Sequence, residues 1–232
     1  MPVAVVEPRV EAPFEVALRI EERAELERVP ARLGLDADRP CLVLVGGADG
    51  LGPGDLDALA RLFTDVLAPL VATLGAVVVD GGTDTGVMRL MGRALAAAGR
   101  PFPLVGVVPA ALATGLEPNH SHFVLVPGTV WGDETPWLAA VATTLAGAQE
   151  SATLLLNGGE ISWADVEASV AAGRPVVAVA GSGRTADALA AAVRGIPGDQ
   201  RGAGLAASGL VYVADLADRR EIERLLLDLL RS

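Results

Sequence analysis

Four glycine-rich turns carry the residues best suited to chemistry: Gly46-Gly47-Ala48-Asp49-Gly50, Gly81-Gly82-Thr83-Asp84-Thr85-Gly86, Asn157-Gly158-Gly159 and Gly181-Ser182-Gly183-Arg184-Thr185. Glycine lets backbone N–H groups approach an anion closely, and serine or threonine adds a hydroxyl donor, so each turn can form part of a phosphate cradle. A tight strand-to-helix turn also needs glycine when nothing binds there. Four such turns on one sheet edge point to a ligand of nucleotide size. Arg184 adds a full positive charge at a helix start and is the strongest single candidate for a phosphate contact, unless Asp187 caps it on a solvated face.

Both histidines and one of the two asparagines fall in Glu117-Pro118-Asn119-His120-Ser121-His122. His120 and His122 are two apart on an incoming strand. They can contact a ligand, tie the loop to its neighbours, or bind a metal with Asp133 or Glu134, although no third ligand stands at a fixed spacing. The segment from Pro127 to Trp137 contains Gly128, Thr129, two of the three tryptophans and the adjacent carboxylates Asp133 and Glu134. Trp131 and Trp137 can stack on a base or anchor the loop. Glu134 can hydrogen-bond a ribose.

These residues are positioned by an alternating pattern. Short apolar runs at Cys41 to Val45, Ala76 to Val79, Leu104 to Val108, Phe123 to Val126, Thr153 to Leu156, Val176 to Ala180 and Leu210 to Val213 read as strands buried on both faces. Between the first two, Leu56, Leu59, Phe63, Val66, Leu67, Leu70, Val71 and Leu74 form a helical stripe, with a kink expected at Pro69. Val87, Met88, Met91 and Leu95 form another, and weaker patterns start at Glu134, Ser162 and Arg184. The last helix, Ala217 to Leu230, covers one end of the sheet or presents leucines to a second copy. The fold class is therefore α/β: a Rossmann-like, doubly wound, mostly parallel sheet of about seven strands with helices on both faces. Residues 41–232 read as one domain, and residues 1–40 as an extension contributing a strand and a surface helix packed on that core. Ligands in such sheets bind beyond the carboxyl ends of the strands, so the turns are expected to converge on one electropositive crevice.

Composition narrows the function. The 232 residues carry a net charge of -11, which disfavours nucleic acid as a partner. All 18 basic residues are arginine, which removes lysine Schiff-base chemistry and the Walker-type phosphate lysine. Cys41 is the only cysteine, so an internal disulfide and a Cys-rich zinc site are excluded. No apolar stretch reaches the roughly 18 residues of a membrane span. The N-terminus lacks the pattern of a signal peptide, and a cytoplasmic location is expected.

Three segments together resemble a known family. Asp80 to Met88, Glu117 to Val126 and Gly173 to Asp187 are similar to the N-terminal melastatin-homology (LSDAT) region of TRPM channels, in the stand-alone prokaryotic form of the SLOG superfamily. The likeness spans about residues 41–215. It implies a nucleotide-derived ligand, ADP-ribose being associated with some of the channel domains. More distantly, the chain resembles LOG-type phosphoribohydrolases. Gly81, Gly82, Gly86 and Met88 match their first motif. Their second, Pro-Gly-Gly-x-Gly-Thr-x-x-Glu, is altered to Pro127-Gly128-Thr129 followed by Val130 to Glu134, and their Arg-Lys pair is missing.

The expected function is that of a cytosolic sensor that binds ADP-ribose or a related nucleotide diphosphate, needs no cofactor, and forms a homodimer or higher homo-oligomer. Gly46, Gly47, Gly81, Gly82, Thr85 and Gly86 would hold phosphates with Gly181, Ser182, Gly183, Arg184 and Thr185. Thr83, Asp84 and Asn119 would orient the sugar, and His120, Gly128, Thr129, Glu134, Asn157, Gly158 and Gly159 complete the ligand set. One alternative is an N-glycosidase acting on a nucleoside monophosphate, with Glu134 or Asp133 supporting the developing positive charge. The other is a structural homo-oligomer that binds nothing.

Overall fold

The computed structural model describes residues 16–47, 50 and 52–231. Ala48 and Asp49 of the first glycine turn, and residues 1–15 of the extension, lie outside the described residues. One eight-stranded sheet runs through the molecule: β1 Val16–Arg19, β2 Cys41–Gly46, β3 Val77–Asp80, β4 Leu104–Pro109, β5 His122–Val126, β6 Ser151–Leu156, β7 Val176–Ala180 and β8 Val211–Asp215. Its order is β1-β5-β4-β3-β2-β6-β7-β8, and each neighbouring pair is parallel. The fold is Rossmann-like α/β. From β2 the chain winds outward through β3, β4 and β5, then returns to lay β6 on the other side of β2.

Among the described residues there are nine α-helices, α1 Val29–Leu33, α2 Pro53–Leu62, α3 Ala68–Leu74, α4 Gly86–Ala97, α5 Thr135–Ala146, α6 Glu160–Ala171, α7 Arg184–Val193, α8 Gln200–Ala206 and α9 Arg219–Arg231, with 3-10 turns at Arg23–Arg28 and Ala110–Leu112. Side chains alternate along the strands, so Leu42 and Leu44 join the core under α2, α3, α4 and α9. Cys41, Val43 and Val45 join the core under α1, α5, α6, α7 and α8. This period of two is why the strands read as continuous apolar runs.

Three sequence expectations are refined. The disruption near Pro69 is a π-helical turn, Phe63–Leu67, in which Ala68 donates its N–H to the Phe63 carbonyl. The wider turn relieves the steric and hydrogen-bonding cost of a proline that has no N–H. The leucines of α9 serve the chain's own core: Ile222, Leu225, Leu226 and Leu230 are buried, and Leu227 and Leu229 pack against the same cluster. Helix α8 was not foreseen, because Gly202 and Gly204 mask a short segment that begins where the Asp199 side chain accepts the Arg201 N–H.

Candidate functional site

The sheet order reverses between β2 and β6, so the loops leaving them diverge onto opposite faces and open a crevice at the carboxyl edge. The cavity measures about 660 Å³, within the range of small-molecule sites. Gly46 and Gly47 reach it from β2, and Gly81, Thr83, Asp84, Thr85 and Met88 from the β3–α4 turn. Thr114 and Gly115 follow β4, and Trp131, Glu134 and Leu138 follow β5. Gly159, Glu160, Ile161, Ser162 and Asp165 come from the start of α6, and Arg184 opens α7. The N-termini of α4, α6 and α7 thus meet at one place, each with N–H groups that have no partner within the helix.

Gly46 sits at the floor of this crevice with φ +136°, and a Cβ there would lie 1.8 Å from the Leu156 carbonyl oxygen of β6. Only glycine lets the two central strands end side by side. The β3–α4 turn is held from several directions. Asp80 Oδ1 accepts the Gly82 N–H at 2.7 Å, Asp84 donates its N–H to Gly115 O at 3.0 Å, and Thr83 forms a bridge with Leu116. Arg89 donates through Nε to Asp84 Oδ1 at 2.7 Å. Gly82 lies behind the crevice wall, packed on Gly106 and Phe123, and Gly86 is the first residue of α4.

Asn119 and His120, expected on the ligand, lie behind this turn instead. His120 is fully buried between two carboxylates, with Nε2 at 2.7 Å from Asp80 Oδ1 and Nδ1 at 2.9 Å from Glu117 Oε2. Burial pulls its pKa down, but the charges and hydrogen bonds of Asp80 and Glu117 outweigh that and push it up to about 9. The ring is therefore an imidazolium at neutral pH. Asn119 donates its backbone N–H to Glu117 Oε2 at 2.8 Å and its side-chain N–H to Glu117 Oε1 at 2.7 Å. His122 Nδ1 is bonded to Ser121 Oγ at 2.7 Å. Among the described residues no three His, Cys, Asp or Glu side chains are grouped to hold a metal ion.

In the β5–α5 turn, Asp133 is a loop-shaping residue. Its Oδ2 accepts the N–H groups of Thr129 at 2.8 Å and Val130 at 3.1 Å, and those bonds hold its carboxyl below its ordinary pKa. Gly128 and Thr129 shape the same turn and are not among the crevice residues. Glu134 is buried against the crevice and accepts the Gly132 N–H at 2.7 Å. Burial raises its pKa, with a further push from the charge of Asp133. The tryptophans divide the two roles left open. Trp131 rims the crevice at 44% exposure, whereas Arg23 stacks over Trp137 at 4.1 Å and donates to Pro136 O, anchoring the N-terminal segment.

The β6–α6 and β7–α7 turns are cross-linked to each other. Ser182 Oγ accepts the Asn157 N–H at 2.8 Å and donates to Val179 O at 2.6 Å. Thr185 donates to Gly159 O at 2.9 Å, Ala186 N–H to Asn157 O at 2.9 Å, and Gly181 N–H to Asp187 Oδ1 at 2.6 Å. The Gly181 N–H, the Ser182 N–H and hydroxyl, and the Thr185 hydroxyl are thus spent inside the protein. Gly158 packs on Ser162, and Gly183 precedes α7; like Asn157, neither lines the crevice. Arg184 does, with φ +47°, a strained value for an arginine. Its guanidinium lies beside Gly159 at the start of α6, where a Cβ would fall 3.3 Å from Nη2.

The crevice is not uniformly electropositive, as the glycine turns alone led us to expect. Arg184 shares it with four carboxylates, Asp84, Glu134, Glu160 and Asp165. Asp84 is paired with Arg89, and Glu160 with Arg201. Asp165, like Thr114, Gly115, Glu160, Ile161 and Ser162, was not among the site residues named from the sequence. It accepts the Thr135 hydroxyl at 2.6 Å, and burial pushes its pKa up to about 7. The only signal for it was a carboxylate one position before Val166 on the buried face of α6.

Fold and crevice together define a Rossmann-like α/β domain with a cavity at its topological switch point. A family model described as "SLOG in TRPM, prokaryote" matches residues 39–223, and the chain belongs to that family. The structure is similar to that of the molybdenum cofactor binding protein from the phototrophic bacterium Rippkaea orientalis. That match has 14% identity and a TM-score of 0.55, and covers 82% of this chain and 98% of the other. It is similar as well to TM1055, a structural-genomics target, at 20% identity and a TM-score of 0.55, covering 81% and 98%. No curated protein matches the sequence.

Proposed function

We propose that the crevice binds a nucleotide-derived anion, ADP-ribose or a related nucleotide diphosphate, and that the protein acts as a binding or sensor protein. The observation that carries this reading is the meeting of three helix N-termini and the strained Arg184 in one cavity of about 660 Å³. Phosphate oxygens would be held by the N–H groups of Gly81 and Thr83, by the hydroxyls of Thr83 and Thr85, and by Arg184 beside the start of α6, whereas the N–H groups of Gly47, Asp84 and Thr85 are already given to Leu156 O, Gly115 O and Thr83 O. Trp131 at the rim is suited to stack on the base. A structural relative described as a molybdenum cofactor binding protein supports ligand binding by this fold in general.

Calorimetry with ADP-ribose, AMP and NAD tests the proposal, and no heat from any of them at millimolar ligand would end it. Arg184→Ala is expected to weaken binding by about 10- to 100-fold, the scale of a lost charge-assisted contact of roughly 1.5–3 kcal/mol. Equal affinity in wild type and variant would remove Arg184 from the site.

A second reading, N-glycosidic cleavage of a nucleoside monophosphate, is favoured by one observation: Glu134 is a buried carboxyl facing the crevice with a raised pKa. Free base released from AMP, and no longer released after Glu134→Gln, would establish it. Homo-oligomerisation belongs to the proposal as well, with the exposed Val130, Trp131 and Ile161 as its apolar rim, and analytical ultracentrifugation reads it directly. So does a cytoplasmic location, which rests on a chain that uses a single cysteine and so has no internal disulfide.

A further inference from the structure

Two carboxyls on one wall of the crevice have no role in holding phosphate. Glu134, just before α5, and Asp165, on α6, both face the cavity. Thr135 ties them together, since it follows Glu134 in the chain and donates its hydroxyl to Asp165 Oδ1 at 2.6 Å. The Glu134 carboxyl takes backbone N–H groups of Gly132 and of Glu134 itself, and among the described residues neither carboxyl has an ion-pair partner.

We propose that Glu134 and Asp165 form an electrostatically coupled acid pair that donates a carboxylic O–H to the uncharged, hydroxyl- or ring-nitrogen-bearing part of a nucleotide-type ligand, which makes capture of that ligand depend on pH. The inference rests on the nucleotide reading of the crevice and deepens it. Two like charges at one partly buried site resist ionising together, so the pair holds a proton where isolated carboxyls would not. Burial raises the Asp165 transition, the Thr135 hydroxyl draws it back, and the charge of Glu134 raises it again, to about 7. The surrounding charges do not reverse this. Asp133 adds repulsion from the β5–α5 turn, Glu160 on α6 is engaged by Arg201, and Asp84 from the β3–α4 turn is engaged by Arg89. Arg184 on α7 is the one cation among the described crevice residues. Below neutrality the wall offers a donor. Above it, a full negative charge faces an anionic ligand.

ADP-ribose is the right probe, because its pyrophosphate has no proton to gain or lose between mildly acidic and mildly basic pH. Its affinity for the wild type is expected to fall about tenfold or more between pH 6 and pH 8.5, the scale of one displaced pKa unit. Asp165→Asn, which keeps a donor and an acceptor in place, is expected to lose that slope. Carbon-13 carboxyl titration of the unliganded protein is expected to show one of the two groups with a midpoint near 7.

Asp165 also sets stability against pH. Its folded pKa lies above the unfolded 3.8, so the folded state holds the extra proton and loses stability as pH rises from about 4 through 7. Asp165→Asn is therefore expected to melt higher than wild type at pH 8. ADP-ribose binding with a flat pH profile, a slope that survives Asp165→Asn, or both carboxyls titrating below about 5 would each overturn the inference. If ADP-ribose binds at no pH, it is the nucleotide reading that fails, and the carboxyl titration alone decides the acid pair.

Discussion

His120→Gln is expected to destabilise the protein by about 3–5 kcal/mol, the cost of breaking a buried ion pair by removing one partner. The imidazolium stands between Asp80 and Glu117, both essentially inaccessible to water. Without it two carboxyl groups would be left in the interior, and Asp80 Oδ2 already has no hydrogen-bond partner among the described residues. Glutamine supplies a donor to one of them and charge to neither. A urea midpoint in His120→Gln equal to that of wild type would show the cluster to be energetically idle.

The same cluster sets a pH limit. The folded pKa of His120, about 9, exceeds its ordinary 6.5. Its contribution is therefore fully present below about 6.5 and is lost as pH climbs through 9. Wild-type stability is expected to decline between pH 7 and 10, and His120→Gln to be less stable but flatter over that window. Beyond stability, the cluster rivets two crevice loops. Asp80 carries the Gly82 N–H, Glu117 carries Asn119, and the Glu117 N–H is donated to Gly82 O at 3.0 Å. The crevice turn that bears Thr83 to Thr85 is thus held from behind by residues that never reach the ligand.

Gly46→Ala is the second change expected to be severe. The added methyl would fall 1.8 Å from a backbone carbonyl of β6, at a φ of +136° that side-chain-bearing residues rarely adopt. A flexible side chain could swing aside, but a carbonyl paired into the middle of a sheet cannot. We expect a loss of at least about 3 kcal/mol, from overpacking and backbone strain combined. Ligand binding should go with it, since the displaced strands form the crevice floor. Gly204→Ala is the control. It lies exposed within α8 with nothing within 4 Å of the new methyl, and should be neutral or stabilising by up to about 1 kcal/mol. Chemical denaturation of the pair checks this, and equal midpoints would contradict the packing at Gly46.

The central strands β2 to β7 could be read from the chain because they are apolar runs buried on both faces, as in Leu104–Pro109. By contrast β8, expected to be buried on both faces, lies at the sheet edge and leaves Tyr212 exposed, and β1 at the other edge is also part-exposed. The crossover helices were legible where large apolar residues recur, as at Val87, Met91 and Leu95, and faint where alanine dominates or where glycine hides a short helix such as α8. The glycine turns marked the right sheet edge. Gly46, Gly47, Gly81, Thr83, Asp84, Thr85, Glu134, Gly159 and Arg184 were named from the sequence and line the crevice. Asn119, His120 and Ser182 were named for the same role, yet the structure commits them to internal bonds. Rarity of type drew the eye to the histidines without revealing which way they face.

What the sequence by itself determined was the alternation of elements and the edge on which a ligand must sit, because hydrophobic period and glycine placement are local properties of the chain. Only the tertiary structure decided which donors reach the crevice and which are spent. Asp80 and His120 are 40 positions apart, and Thr135 and Asp165 are 30 apart. Whether such pairs meet depends on strand order and helix docking, and the charge each group carries follows from that meeting and from how much water its burial leaves around it.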